Sequence, residues 1–461
     1  MDKWISGLQS VGFARQTDYV TENSTNGDFH YFPAEVDVPS LVRATEEFQA
    51  ATGQIGAMEP PVAGSKHGGE FTVKLPFQGF RASYNPTGME PGVGNTVAPS
   101  LVLLGNALGS VSEGAGITNA TTFMAGQGLS NTAFNGGAYG AVTFALNGVV
   151  STAIVGSKTT INVAAARGEA FKTGQFFHCG TGVADTTPSL GWIESMVNGG
   201  AGDDVLTFSE TMGVTPVALD EIFATAVAFL SDDKPQPLTF RFLGAEAQQK
   251  LVLIGCICTG GKLTLVAGKT PMLELKYSYT DHTWSGSGGG LQAPSGEFLR
   301  IQPVLGTNAG RLTYGASGLG GSLVHGFAEM ELTWETTMAY VPSHSSAQGV
   351  SEGITTDRKV TLTCKVPWDE GDAIAAGETI YGADFVAGTP RAVTLYCGGL
   401  PGRAFSVYMP SVHLAAQPTL ENREGLMYHN LQFRPGRYAT DGASITATDP
   451  ARNSVLRIGV A

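Results

Sequence analysis

A chain of 461 residues with a 42% hydrophobic fraction is long enough for two to four packed domains and too apolar to be disordered. Its net charge of −13 excludes a basic nucleic-acid footprint, which needs clustered lysine and arginine to displace counterions. No run of about 18 apolar residues occurs, so no membrane contact is expected, and the five cysteines, odd in number and mostly in apolar strand patterns, read as buried thiols of a reducing compartment.

The 62 glycines follow no Gly-X-Y period, which leaves a mainly β protein with many turns. In chain order, residues 1–31 are polar, with one lysine and no apolar core in the first ten. They read as an arm and not as a secretion signal. Ala34–Val38 is a first strand. Leu41, Ala44 and Phe48 then recur at helical spacing behind Ser40 as a cap, predicting a helix over 41–50. A loop with Pro60-Pro61, a strand from about Glu70 to Phe80 and a Pro/Gly-rich loop follow. Pro99 sits naturally in the first turn of a short helix that carries Leu101, Leu104 and Leu108 and stops at Gly109.

Residues 110–235 alternate small and polar residues with short β runs, three of which lie at 175–179, 191–196 and 204–208. Within them, Gly199–Asp204 fits one turn of a calcium-binding β-roll, but that chemistry needs stacked repeats, and a Gly/Asp hairpin turn is the simpler reading. His178 and Cys179, near Asp185, are neighbours on a strand and point to opposite faces, which does not make a nucleophile–base pair. Cys256 and Cys258 share a strand face without two further metal ligands at recognisable spacing. No phosphate loop, dinucleotide fingerprint, HExxH or GxSxG occurs, so neither an enzyme nor a cofactor is expected.

The chain also repeats itself. Ala34–Val38 is answered by Ala328–Leu332, Phe71–Leu75 by Val360–Cys364, Leu238–Arg241 by Val393–Tyr396, and Met272–Leu275 by Leu426–His429, in one order. This gives a first domain over 32–109 and 236–284, interrupted by a β-rich insertion at 110–235. A Gly/Ser linker at 285–296 and a second domain at 297–461 follow, with a second helix expected over 369–381.

Several stretches resemble the tail tube proteins of long-tailed bacteriophages: Gly69–Phe80 followed by the helix around Pro99, Leu103 and Leu104; Leu253–Thr259 with the turn Gly268–Pro271 and the strand Met272–Tyr279; Glu329–Trp334 with Asp357 and Arg358; and Val407–Val412 before Glu421–Gly425. The resemblance covers about half of the chain. It implies tandem, duplicated β-sandwich/barrel domains, each with a short helix, whose strands join those of neighbouring copies. A homotrimer would then form a pseudo-hexameric ring, and rings would stack into a tube. The tape measure, terminator and distal tail proteins are the implied partners, and double-stranded DNA would pass through an acidic lumen without specific binding. The place implied is the virion tail, assembled in the host cytoplasm, with the insertion outside the tube.

The loop from Pro39 to Gly68 and its shorter counterpart from Pro342 to Gly353 stand where such proteins stack ring on ring. The resemblance thus nominates Glu46, Glu47, Phe48, Gln54, Ile55, Met58, Lys66, His67, His344 and Gln348 as stacking contacts. Rival readings are a secreted or surface carbohydrate-binding or adhesin-like β protein, a calcium-dependent hydrolase around Gly199–Asp204, or a tail terminator or baseplate component that forms one ring.

Overall fold

The computed structural model describes residues 9–16, 18–26, 29–36, 45–46, 62–63, 68–81, 99–108, 149–155, 158–163, 174, 176–180, 189–197, 204–208, 221–224, 226–230, 237–245, 250–285, 290–293, 298–300, 311–315, 323–346, 348–368, 373–374, 378–397, 404–423, 425–436 and 454–460. The protein is mainly β. The first elements are β1 (Gln9–Arg15), β2 (His30–Phe32), β3 (Glu35–Val36), β4 (Thr45–Glu46), β5 (Val62–Ala63), β6 (Gly69–Pro76), β7 (Gln78–Arg81) and helix α1 (Pro99–Leu108). Next are β8 (Val149–Val155), β9 (Lys158–Val163), β10 (Phe176–Gly180), β11 (Ser189–Val197), β12 (Asp204–Phe208), β13 (Glu221–Ala224) and β14 (Ala226–Phe229). The middle holds β15 (Leu238–Gly244), β16 (Lys250–Val266), β17 (Met272–Tyr279), β18 (Asp281–Ser285), β19 (Phe298–Arg300), β20 (Arg311–Gly315) and β21 (Leu323–Gly326). The last are β22 (Glu329–Pro342), β23 (Val350–Pro367), β24 (Ala373–Ile374), β25 (Glu378–Thr379), helix α2 (Ile380–Ala387), β26 (Arg391–Cys397), β27 (Phe405–Leu414), β28 (Thr419–Arg423), β29 (Leu426–Pro435) and β30 (Arg457–Val460).

Strict alternation builds the principal strands. In β6, Phe71, Val73 and Leu75 are buried while Glu70 is exposed and Thr72 and Lys74 are half-exposed, the two-residue period of a sheet with one wet face. β17 repeats the pattern with Leu273, Leu275 and Tyr277 inward and Glu274 and Lys276 outward. Phe71, Phe240 and Tyr277 meet behind that sheet, with ring centroids 4.9 to 5.5 Å apart. β16 is long enough to serve two sheets. Its first part pairs with β15 and β18, and its second part with β17 and β22. Gly255 sits where the strand changes partners, at φ 63°, and a Cβ there would lie 2.1 Å from Thr280 Oγ1 and 2.3 Å from the Tyr19 carbonyl. Only glycine fits that bend.

Two sets of strands share one pairing order. In the first, β2 pairs β1, β1 pairs β15, β15 pairs β16, β16 pairs β17, β17 pairs β6 and β6 pairs β3. In the second, β21 pairs β20, β20 pairs β26, β26 pairs β27, β27 pairs β29, β29 pairs β23 and β23 pairs β22. α1 lies between β6 and β15, as α2 lies between β23 and β26. The rung Val36–Val73–Leu275 corresponds to Met330–Cys364–Leu431. The structural register therefore runs two residues later in β23 and β29 than the sequence match suggests, a shift that leaves every side chain on its face. The sets join where β16 pairs with β22, from Gly260↔Glu335 to Val266↔Glu329.

Four expectations change. The described residues between 9 and 31, read as part of an arm over 1–31, are woven into the sheet: β1 buries Val11 and Phe13, and the buried Arg241 ties down the segment after it through Glu22, Asn26 and the ring of Phe29. The helix expected over 41–50 is instead, at its described residues Thr45–Glu46, a strand paired with Val62–Ala63; two residues of a helical pattern cannot outweigh that ladder. The second helix starts only at Ile380, because the glycine-rich stretch before it holds the short β24–β25 pair. The insertion holds a sheet of six strands in the order β13-β10-β11-β12-β9-β8, three more than the sequence indicated.

Gly261 faces the core at the seam, where an added Cβ would lie 2.3 Å from Trp334 Cζ2 and 2.9 Å from Leu275 Cδ2. We expect Gly261→Ala to cost about 1–3 kcal/mol by overpacking, read as a lowered denaturant midpoint. Lys262→Ala on the opposite face should stay within about 0.5 kcal/mol.

Candidate functional site

The face of β3, β6, β17, β16, β22, β23, β29 and β28 that points away from the core forms one continuous polar surface across eight antiparallel strands. Its charges alternate across strands. Glu35, Lys74, Glu274 and Lys262 stand side by side on β3, β6, β17 and β16. Glu35 lies 3.7 Å from Lys74, and Lys262 lies 3.7 Å from Glu331. In the second set, Glu329 and Lys365 occupy the places of Glu35 and Lys74 and approach to 3.3 Å. Lys365 also meets Glu421 at 3.3 Å, and Arg423 meets Glu329 at 3.7 Å. Burial works to lower the Lys365 pKa, but the hydrogen bonds of Glu421 and Glu329 outweigh it and hold the ammonium above its ordinary value. The strand alternation places Glu35, Glu70, Glu274, Glu329, Glu331, Glu335, Asp357 and Glu421 on this face against Lys74, Lys262, Lys276, Lys359, Lys365, Arg423 and Arg434. The two signs are nearly equal there, although the chain as a whole carries −13. Where Gly260 leaves no side chain, the surface sinks into a hollow of about 670 Å³ bordered by Glu70, Lys262, Glu274, Lys276, Glu335 and Tyr340.

β28 closes this sheet and pairs, among the described strands, with β29 alone. Its counterpart is the second part of β16, since Leu263↔Leu273 in one set matches Leu420↔His429 in the other. Leu263 is fully buried beneath the seam, whereas Leu420 is 54% exposed. Trp368 repeats the contrast. Its amide donates to the Met427 carbonyl as the Phe77 amide donates to Pro271, yet Phe77 is buried against Phe405 while Trp368 is 47% exposed. At both positions the second set covers the first, and the equivalent residue of the second set lies bare.

Of the nominated stacking residues, Glu46 has a described backbone in β4, while Glu47, Phe48, Gln54, Ile55, Met58, Lys66 and His67 lie outside the described residues. His344 is exposed at the tip of the β22–β23 hairpin. Gln348 is turned inward, its amide donating to Asp281 at 3.0 Å. Tyr340 on the same hairpin donates to Ser278, and Gly353 packs against Ile257 and Met338. This hairpin therefore clamps the second set onto the first, laterally. Of the family-like residues, Leu103 and Leu104 are buried on the helix that Pro99 opens, Gly268 holds φ 75° in the β16–β17 turn beside Pro271, and Asp357 is exposed on β23. Arg358 donates to the carbonyl of Leu108 at 3.3 Å, across the seam at the last residue of α1. The sequence offered no signal for the buried clamp in which Asp384 of α2 accepts from Arg391 through both oxygens and from Tyr314.

No protein-family model matches this chain, and no curated protein does. Among the described residues no cluster of His, Cys, Asp and Glu could hold a metal ion, and no helix is long and apolar enough to cross a membrane. Residues 198–203, between the antiparallel strands β11 and β12, lie outside the described residues. His178 and Cys179 are successive residues of β10.

Cys256, Cys258, Cys364 and Cys397 are buried and in no disulfide. Burial pushes the Cys258 thiol up to about 12, with hydrogen bonds of the Gly260 backbone and the Trp334 side chain offsetting only part, and it raises Cys256 and Cys364 too. Because the folded pKa lies above the unfolded one, this stabilisation is complete below about pH 9 and is lost as pH rises towards 12. Unfolding titrations should show stability falling in that window, and Cys258→Ala should flatten the fall by up to about 1.4 kcal/mol per pH unit. In the folded protein these four thiols should be unreactive towards a thiol reagent at pH 8.

Proposed function

We propose that this chain is a structural subunit of a bacteriophage tail tube, in which the two strand sets are copies of one domain and the polar sheet face lines the bore. The observation that carries the reading is the exposure of Leu420 and Trp368 at one end of the eight-stranded sheet, where the equivalent Leu263 and Phe77 are buried by the neighbouring set. A second copy applied to β28 as β22 is applied to β16 would cover them, and repetition around a ring removes every sheet edge. The described second layer of strands and both helices pack on the core face of this sheet. The polar face therefore takes the shorter, inner circumference.

Three copies would bring about 24 strands into the ring; at a spacing of ~4.8 Å and a tilt of ~40° the backbone cylinder is about 48 Å across. With ~5 Å of side chain on each wall, the bore remains near 40 Å, wide enough for a DNA duplex; two copies leave roughly half that. The bore expected to be acidic is, on this reading, lined by a face of nearly balanced charge. Rings stack into a tube, a virion component assembled in the host cell, with the tape measure, terminator and distal tail proteins as partners. A single-ring tail terminator or baseplate part differs only in lacking the stack.

Transposing the seam gives the register between copies. Val266↔Glu329 becomes Arg423 opposite the next copy's Glu35, an ion pair in place of a valine–glutamate pair. Negative-stain microscopy of the purified protein should show rings or tubes with a central bore, and dispersed monomers at high concentration would sink the reading. Arg423→Glu should block ring closure, and the swap Glu35→Arg with Arg423→Glu should restore it. Failure of the swap where the single variant fails would point to a different register.

A further inference from the structure

We infer that Trp368 of one copy packs against Trp284 of the next, an aromatic contact that joins copies through the second layer of strands. This rests on the tube reading given above, and it assigns the residue that covers Trp368. The chain holds a template for the contact in its own seam. Phe77, the counterpart of Trp368, meets Phe405 of the second set edge to face, with ring centroids 5.6 Å apart and an interplanar angle of 83°. Phe405 stands where β27 pairs with β30, at Phe405↔Val460. The same corner of the first set is made by β16 and β18, at Leu251↔Trp284. Leu251 is fully buried there, whereas Trp284 is 54% exposed. When β28 is laid against the next copy's β3, Trp368 arrives at that corner, and the aromatic surface open to it is Trp284.

A single exposed tryptophan is ordinary. The strand that carries Trp284 is not. In β30, the counterpart of β18, Arg457 and Ile458 are fully buried, and β14 runs along the far edge. β18 pairs with β16, and among the described residues no strand covers its other edge, where Thr283 and Trp284 are exposed. β14 belongs to the first set, just ahead of β15. The corresponding connection of the second set, from α2 to β26, consists of Gly388, Thr389 and Pro390 and holds no strand. A copy therefore has no ladder to lay along its neighbour's β18, and two large side chains take that place. Buried aromatic anchors of this kind carry much of the energy of an interface. The helices agree with the transposition. Leu108, the last residue of α1, accepts from Arg358 across the seam, while Val386 near the end of α2 is 82% exposed.

Assembly of the full chain is read by sedimentation over a range of concentrations, with the denaturant midpoint checking the fold. Trp284→Ala and Trp368→Ala should each raise the concentration needed for assembly at least about tenfold. The two together should cost little more than one, since each removes the same contact. A second measurement reads proximity directly. Copies with Trp284→Cys are mixed at high concentration with copies carrying Trp368→Cys, both in a Cys179→Ser background, and treated with a short bismaleimide. The mixture should yield dimers bridged between positions 284 and 368, and neither variant alone should.

Unchanged assembly of the alanine variants, losses that multiply in the double variant, or a mixture without the bridged dimer would each overturn the inference. Microscopy of the same samples separates it from the tube reading. Rings formed as readily by the alanine variants keep the tube and remove this contact. Bridged dimers from a protein that closes no ring keep the contact and remove the tube.

Discussion

The structure depends on one ladder, the pairing of the second part of β16 with β22. Without it the strand sets are separate sandwiches, each with an open edge. With it the wet faces merge into a single surface, Trp334 closes over Gly261, and the β22–β23 hairpin reaches back to Asp281 and Ser278. The ladder is possible because β16 outlasts its own sandwich: the bend at Gly255 and the irregularity between Cys258 and Gly260 turn its second part out of one sheet and into the other. A side chain at Gly255 would force either Thr280 or the Tyr19 carbonyl aside, and with them the alignment on which the seam rests.

What the sequence made legible follows from the two-residue period. Wherever apolar and polar residues alternate over one wet and one dry face, as in β6, β17, β22 and β29, the strand and its inward side chains could be read directly. The repeat was visible for the same reason, and the two-residue slip in its register was invisible for the same reason, since a slip of two changes no face. The failures lie where local pattern is weak or contested. β1 carries Val11 and Phe13 inward but is too short and too glycine-poor in signal to stand out from polar neighbours. The helical spacing of Leu41, Ala44 and Phe48 gave no sign of the ladder from Thr45–Glu46 to Val62–Ala63. The alternating charges of the polar face were individually visible as lysines and glutamates. That they adjoin is a property of cross-strand register between segments hundreds of residues apart, which no local reading supplies.

The unequal exposure of equivalent residues is more informative than the exposure of any one of them. An exposed leucine on a soluble protein is ordinary. In the proposed tube, an exposed leucine whose counterpart in the same chain is fully buried by a neighbouring strand set marks the place that the next copy would cover. Leu420 and Trp368 stand in this relation to Leu263 and Phe77. The charged ends of β28, with Glu421 and Arg423 engaged by Lys365 and Glu329, are what an edge strand needs while it waits uncovered, since charge discourages indiscriminate strand addition.

The insertion adds a constraint that two identical domains would lack. β30 is to β27 what β18 is to β16: Phe405↔Val460 and Tyr408↔Arg457 match Leu251↔Trp284 and Ile254↔Asp281. The far side of β30 is covered by β14, the strand by which the chain returns from the insertion. Gly174 also docks there, its carbonyl accepting from Ser406 and its missing Cβ making room for Tyr408. The insertion thus leaves the chain within the first strand set and is fastened to the second. Any motion that opened the seam would also have to peel β14 from β30. The chain crosses between its two sets three times, through the seam, through the β22–β23 hairpin and through the insertion, and so their relative placement is held at widely separated points. In the proposed tube, a subunit that presents both ends of one sheet to its neighbours at a fixed angle would require that rigidity more than symmetry between its halves.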